Sequence, residues 1–198
     1  MSEPELLVRR VGEMKAVMDN GFSRVGPNLD AKDPVQGWLQ GAGSRSIALA
    51  DAVVQLCRRG HANEAGPVLR GLIETVAALA WVAAADGSKR LAEYRTQTKG
   101  ADWATLWDLG RLAERLRAGG LPAATAEGWL EALRGHPAKH VTASSAGLPW
   151  CHVYPENKEP GPEPETMLVL AADALSLALD GLHRRWPEAF PKREERCS

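Results

Sequence analysis

An all-α fold follows from three features of this 198-residue chain. Helix formers dominate, with 31 Ala and 24 Leu against 13 Val, 7 Thr and 2 Ile, the reverse of what a sheet protein requires. Apolar residues recur at spacings of three and four, not in alternation. Glycine, proline and Asp or Asn cluster between these periodic segments, where helices stop and start. The expected architecture is a single-domain helical bundle of about six or seven helices with two central apolar helices. The domain is expected over residues 1–186, with a charged, frayed tail at 187–198.

The first helix is expected over Pro4–Asn20, where Leu7, Val11, Met14 and Met18 share a face and Asn20-Gly21 marks the stop. Asp33-Pro34 reads as an N-cap and first-turn proline for a short helix carrying Trp38 and Leu39. Gly41-Ala42-Gly43 is expected to break it, and Ser44 to begin a new helix ending near Arg59. The next helix is expected from Gly66-Pro67 to Ala85. Its Val68, Leu69, Leu72, Ile73, Val76, Leu79 and Ala80 lie on one side, while Ala77, Ala78 and Trp81 continue the other. A helix that becomes apolar all round is covered on both sides. Further helices are expected at Ser88–Gln97, Asp102–Ala118, Pro122–Arg134 and, as the second central helix, Glu165–Trp186. On the last, Asp173, Ser176, Asp180 and His183 share one face, read as solvated. Between them, Gly135–Glu165 holds six prolines and reads as a long loop with a short helix at 137–144.

Composition narrows the function classes. The net charge of −1 argues against a broad basic surface for nucleic acid. The N-terminus has no signal-peptide pattern. The apolar windows Val76–Ala85 and Met167–Leu182 fall short of the roughly 20 residues of a membrane span, so no membrane partner is expected. Cys57, Cys151 and Cys197 are far apart and odd in number, as in a cytoplasmic protein with reduced thiols. Arg outnumbers Lys 17 to 7, which fits a GC-rich bacterial source.

The candidate chemistry is sparse. Arg70 and Glu74 are four apart and meet on the central helix. On a solvated face they form an ordinary ion pair; beside Trp81 and the alanines they line a polar pocket. His136, His140 and His152, with Cys151, crowd into one short stretch. Pro137 sets His136 outside any helix that His140 enters, and adjacent Cys151-His152 is a poor chelate, so no metal or other cofactor is expected. No nucleophile sits in a catalytic signature and no phosphate loop follows a strand. Cys57 lies on an apolar face and reads as a core thiol. The leading expectation is a non-catalytic binding or interaction module in which Arg70, Glu74, His136, His140 and His152 form a ligand site. Its partner would be a small ligand, a protein, or a second copy of this chain.

Two resemblances attach to these residues. The run Gly66–Glu74 through Trp81, then Asp86–Tyr94, resembles a widespread bacterial family of all-helical proteins designated a domain of unknown function. Leu69, Arg70, Leu72 and Glu74 match its L-R-x-L-x-E-type helix, over roughly residues 45–95 of the chain. That family carries a later serine and histidine, for which Ser144, Ser145 and His152 lie in the corresponding region. The resemblance implies an all-helical fold and no established activity. Arg134 and His140 resemble the R-x(4–6)-H pattern of the HEPN superfamily, which includes metal-independent ribonucleases. About one such pair is expected by chance in a chain of this composition. It implies an alternative, an endoribonuclease of toxin or phage-defence type acting as a dimer, and only there is RNA a partner.

Overall fold

The computed structural model describes residues 2–99, 108–135 (backbone only at 134 and 135) and 163–192. Among them there are seven α-helices and no strand. They are α1 (Glu3–Val25), α2 (Pro34–Arg58), α3 (Ala62–Ala83), α4 (Gly87–Thr98), α5 (Leu109–Ala118), α6 (Ala123–Gly135) and α7 (Pro164–Arg185). The all-helical bundle with two central apolar helices is therefore present. α3 packs against α2, α4, α5 and α7, and α7 packs against α1, α2 and α3.

Several boundaries differ from the local signals, each because burial outweighs a weak stop. α1 runs past Asn20-Gly21 to Val25. Gly21 is where Phe190 lies against the helix, and a Cβ there would fall 2.2 Å from Phe190 Cε1. α2 is one helix through Gly41-Ala42-Gly43, not two. Its buried residues Val35, Leu39, Ala42, Ser46, Ala50, Val53 and Cys57 form one unbroken stripe, and an unbroken apolar stripe outweighs about 1 kcal/mol of propensity lost per glycine. Asp33 caps α2 as expected, its Oδ1 accepting from Val35 N at 2.9 Å. α3 begins at Ala62 and contains Pro67. In the second turn proline costs one hydrogen bond to the Asn63 carbonyl, which packing of the helix outweighs. The α2–α3 turn is tight because Gly60 takes φ +79, a conformation open to glycine at little cost. α5 begins at Leu109, where Asp108 is extended and its Oδ1 accepts from Gly110 N at 2.8 Å; residues 102–107, expected in the same helix, lie outside the described residues.

The C-terminal segment also departs from expectation. Residues 187–192 do not leave the bundle as a charged tail. Ala189 is buried and Phe190 is fully buried. Phe190 stands edge-on to Phe22 with ring centroids 5.3 Å apart. Phe22 in turn fills the space beside Gly43, where a Cβ would fall 2.2 Å from its Cζ. The order Gly21, Phe190, Phe22, Gly43 thus locks the C-terminal segment between α1 and α2. His183 Nδ1 donates to the Phe190 carbonyl at 2.7 Å. The polar face of α7 is covered in part. Ser176 is buried, and Asp173 accepts from Arg10 Nη2 on α1 at 3.3 Å.

α3 and α7 are each 22 residues and, by length and composition alone, long and apolar enough to cross a membrane. In the bundle, 67% and 72% of their most apolar stretches are buried by neighbouring helices. This length exceeds the shorter apolar windows read from the sequence, because polar residues such as Asp173 sit within the same helix.

Two predictions follow from this packing. Gly21→Ala and Gly43→Ala, which force a methyl into a buried ring, should each cost about 1–3 kcal/mol. Gly37→Ala and Gly41→Ala, where a Cβ meets nothing within 4 Å, should each stabilise by up to about 1 kcal/mol. Urea denaturation of the four variants checks the opposite signs. Phe190→Ala should cost about 3–5 kcal/mol, whereas a frayed tail would give no change in the melting temperature.

Candidate functional site

The charged turn of α3 lies within the bundle. Arg70 is only 3% exposed, and its Nε donates to Glu74 Oε1 at 3.0 Å. The Glu74 side chain is one-third exposed, at 33%, so the pair sits at the boundary between core and solvent. A guanidinium this deeply buried requires a partner, and the i,i+4 spacing supplies one from the same helix. The expected meeting of Arg70 and Glu74 is therefore found, in partial burial.

A second arginine joins them. Arg115 on α5 lies over the Trp81 ring at 5.5 Å and over the Tyr94 ring at 5.1 Å. Its Nη2 donates to Gln97 Oε1 at 2.6 Å. Two aromatic faces hold the guanidinium in one orientation by cation–π attraction. Arg90 closes the end of α3, donating from Nη1 to the Trp81 carbonyl at 2.7 Å with its guanidinium 5.7 Å from the same ring. Cations at a helix C-terminus satisfy the last carbonyls and oppose the helix dipole.

The electrostatics follow from burial. Desolvation raises the Glu74 carboxyl above its ordinary value, while the hydrogen bond and charge of Arg70 and the charge of Arg115 oppose the rise. Desolvation also lowers Arg115; the Tyr94 oxygen and Glu74 act against it and Arg111 acts with it. Glu74 and Arg115 are therefore within electrostatic reach of one another. Arg70 and Arg115 thus both act on Glu74, and Glu93 and Arg111 are also within electrostatic reach of Arg115.

His136, His140 and His152 lie outside the described residues, as do Cys151, Ser144, Ser145 and the side chain of Arg134. Among the described residues no group of three or more His, Cys, Asp or Glu is arranged to hold a metal. Cys57 is a core thiol, pushed up to about 11 by burial and by the charge of Glu165. It stays protonated at neutral pH and is a poor nucleophile.

Arg115, Arg90 and Gln97 are not among the site residues that the sequence singles out, and Tyr94 enters only as the end of the Asp86–Tyr94 run. No local pattern marks Arg115, because its partners come from α3 and α4. No family model matches the chain, and neither a curated protein nor a solved structure matches it.

Glu74→Ala leaves Arg70 buried without its carboxylate and should cost about 1–3 kcal/mol. Arg70→Met keeps the apolar stem, leaves a carboxylate able to reach water, and should cost less; chemical denaturation compares the two. The pH dependence has a definite sign. Above the ordinary value of 4.5 the folded chain holds the Glu74 proton more firmly than the unfolded chain. Its contribution to stability is therefore lost as pH rises through the folded value. Glu74→Gln, which does not titrate, should flatten that part of the stability profile.

Proposed function

We propose that this protein is a non-catalytic binding module whose polar site, on the charged turn of α3, takes an anionic group of a small ligand or protein partner. The observation that carries this reading is the arrangement of Arg70, Glu74 and Arg115. Glu74 is paired with Arg70 and lies within electrostatic reach of Arg115, whose guanidinium is oriented on Trp81 and Tyr94. Arg115 has five N–H donors, of which Gln97 takes one. The remaining donors suit a carboxylate or phosphate oxygen. In this reading His136, His140 and His152 belong to the same site. The resemblance to the helical bacterial family centres on Leu69–Glu74, the same turn. The ribonuclease alternative through Arg134 and His140 has no described side-chain geometry in its support.

The test follows the Trp81 indole N–H by NMR, assigned with Trp81→Phe, while inorganic phosphate and then acetate are added to the full chain. Saturable shifts of that signal are expected. They should vanish in Arg115→Met and strengthen in Glu74→Gln, which removes the competing carboxylate. Shifts that persist in Arg115→Met, or a Trp81 signal indifferent to both anions, would overturn the reading.

A further inference from the structure

A second feature also involves Tyr94. α2, α3 and α4 enclose a cleft of about 410 Å³ lined by Gly37, Trp38, Gly41, Arg45, Thr75 and Tyr94, with Ala42 and Ala78 at its base. The volume falls within the few hundred cubic ångströms typical of small-ligand sites.

Three independent observations distinguish this cleft from an accidental groove. The first is the pair of glycines. Of the three in the N-terminal half of α2, Gly43 is required by Phe22, but Gly37 and Gly41 are required by nothing. A Cβ at either meets no atom within 4 Å. Glycine within a helix is unfavourable, so here it brings no gain in packing. What it leaves is a turn of bare backbone beside the cleft, which a flat group can approach closely. The second observation is the aromatic wall. Trp38 and Tyr94 stand edge to face with centroids 5.3 Å apart. Each is only partly buried, and the Arg115 guanidinium lies 5.1 Å from the Tyr94 ring centroid. The third is Arg45, one turn beyond Gly41. It is exposed, lines the cleft, and makes no ion pair or hydrogen bond among the described residues. Thr75 Oγ1 donates to the Gly71 carbonyl at 2.7 Å, so the hydroxyl's proton is already committed and its oxygen faces the cleft only as an acceptor.

We infer that this cleft binds a small aromatic monocarboxylate. The ring lies over Gly37 and Gly41 against the edges of Trp38 and Tyr94, and the carboxylate is held by the Arg45 guanidinium. Among the described residues one guanidinium and no second cation lines the cleft, which matches a single negative charge and disfavours a phosphate dianion. The fork of N–H groups accepts a carboxylate in bidentate fashion. Gly37 and Arg45 are eight residues apart, about 12 Å along the helix axis, room for one or two rings and a carboxylate. The site shares Tyr94 with the α3 cluster but uses neither Arg70, Glu74 nor Arg115.

The experiment titrates the isotope-labelled full chain with 2-naphthoate, and with the neutral 2-naphthylmethanol as control. Backbone signals of Gly37 and Gly41 and the indole of Trp38 report the cleft; that of Trp81 reports the other cluster. Saturable shifts at Gly37, Gly41 and Trp38 are expected with naphthoate. Arg45→Gln should weaken naphthoate at least tenfold and leave the weak binding of the alcohol unchanged. Gly41→Leu, which fills open space, should abolish binding of both while raising the melting temperature. Three outcomes overturn the inference. Naphthoate produces no saturable shift in the cleft; Arg45→Gln leaves its affinity unchanged; or sedimentation shows a dimer that Gly41→Leu dissociates, which would make the glycine strip a contact between copies. Failure here leaves the Trp81 response to phosphate and acetate intact, so the two proposals fall separately.

Discussion

The close approach of backbones around Ala80 is the constraint on which the bundle depends. On one side lies Gly181 of α7, where a Cβ would fall 3.1 Å from the Ala80 Cα. On another lies Gly119 at the end of α5, where it would fall 2.8 Å from the Ala80 Cβ. Small residues on all three elements let them pack almost backbone to backbone, and Ala77, Ala171, Ala174 and Ala178 are fully buried as well. Larger side chains here would separate the helices and open voids along the core. Because this packing is tight, α3 is enclosed by α2, α4, α5 and α7.

That enclosure gives the charged turn of α3 its properties. The same Arg70 and Glu74 on an open helix would form a screened ion pair contributing little. Enclosed, Arg70 must keep a carboxylate, and Glu74 is drawn toward its neutral form. Arg115 reaches the pair because α5 ends against Ala80 through Gly119, which fixes where its last turns lie. The aromatic rings of Trp81 and Tyr94 then hold one guanidinium on their faces, and Tyr94 also packs edge to face with Trp38. A single ring thereby borders both the cationic cluster and the glycine-lined cleft.

Local pattern revealed much of the fold and little of the site. The helices of α3 and α7 were legible from apolar spacing, and the capping by Asp33 from Asp-Pro. The breaks expected at Gly21 and at Gly41–Gly43 were wrong for a shared reason. Glycine is a weak helix stop, and neither position could reveal that Phe190 or Phe22 would press against it. The tail was misread because one phenylalanine among charges looks solvated until a pocket for it exists. Ser176 reads as solvated because it shares a helix face with Asp173, Asp180 and His183, and nothing local shows that it is buried.

Arg70 and Glu74 were recognisable because their contact is made within one turn of one helix. Arg115, Gln97, Arg90 and Arg45 were not, because their surroundings are assembled from separate helices. The sequence by itself determined the helical class, the two apolar helices at the centre and the Arg70–Glu74 pair, all consequences of spacing along the chain. Only the tertiary structure decided how deeply that pair is buried, which arginine joins it, where Phe190 rests and which glycines are left bare. Those outcomes depend on distances between helices, which no periodicity within one helix specifies.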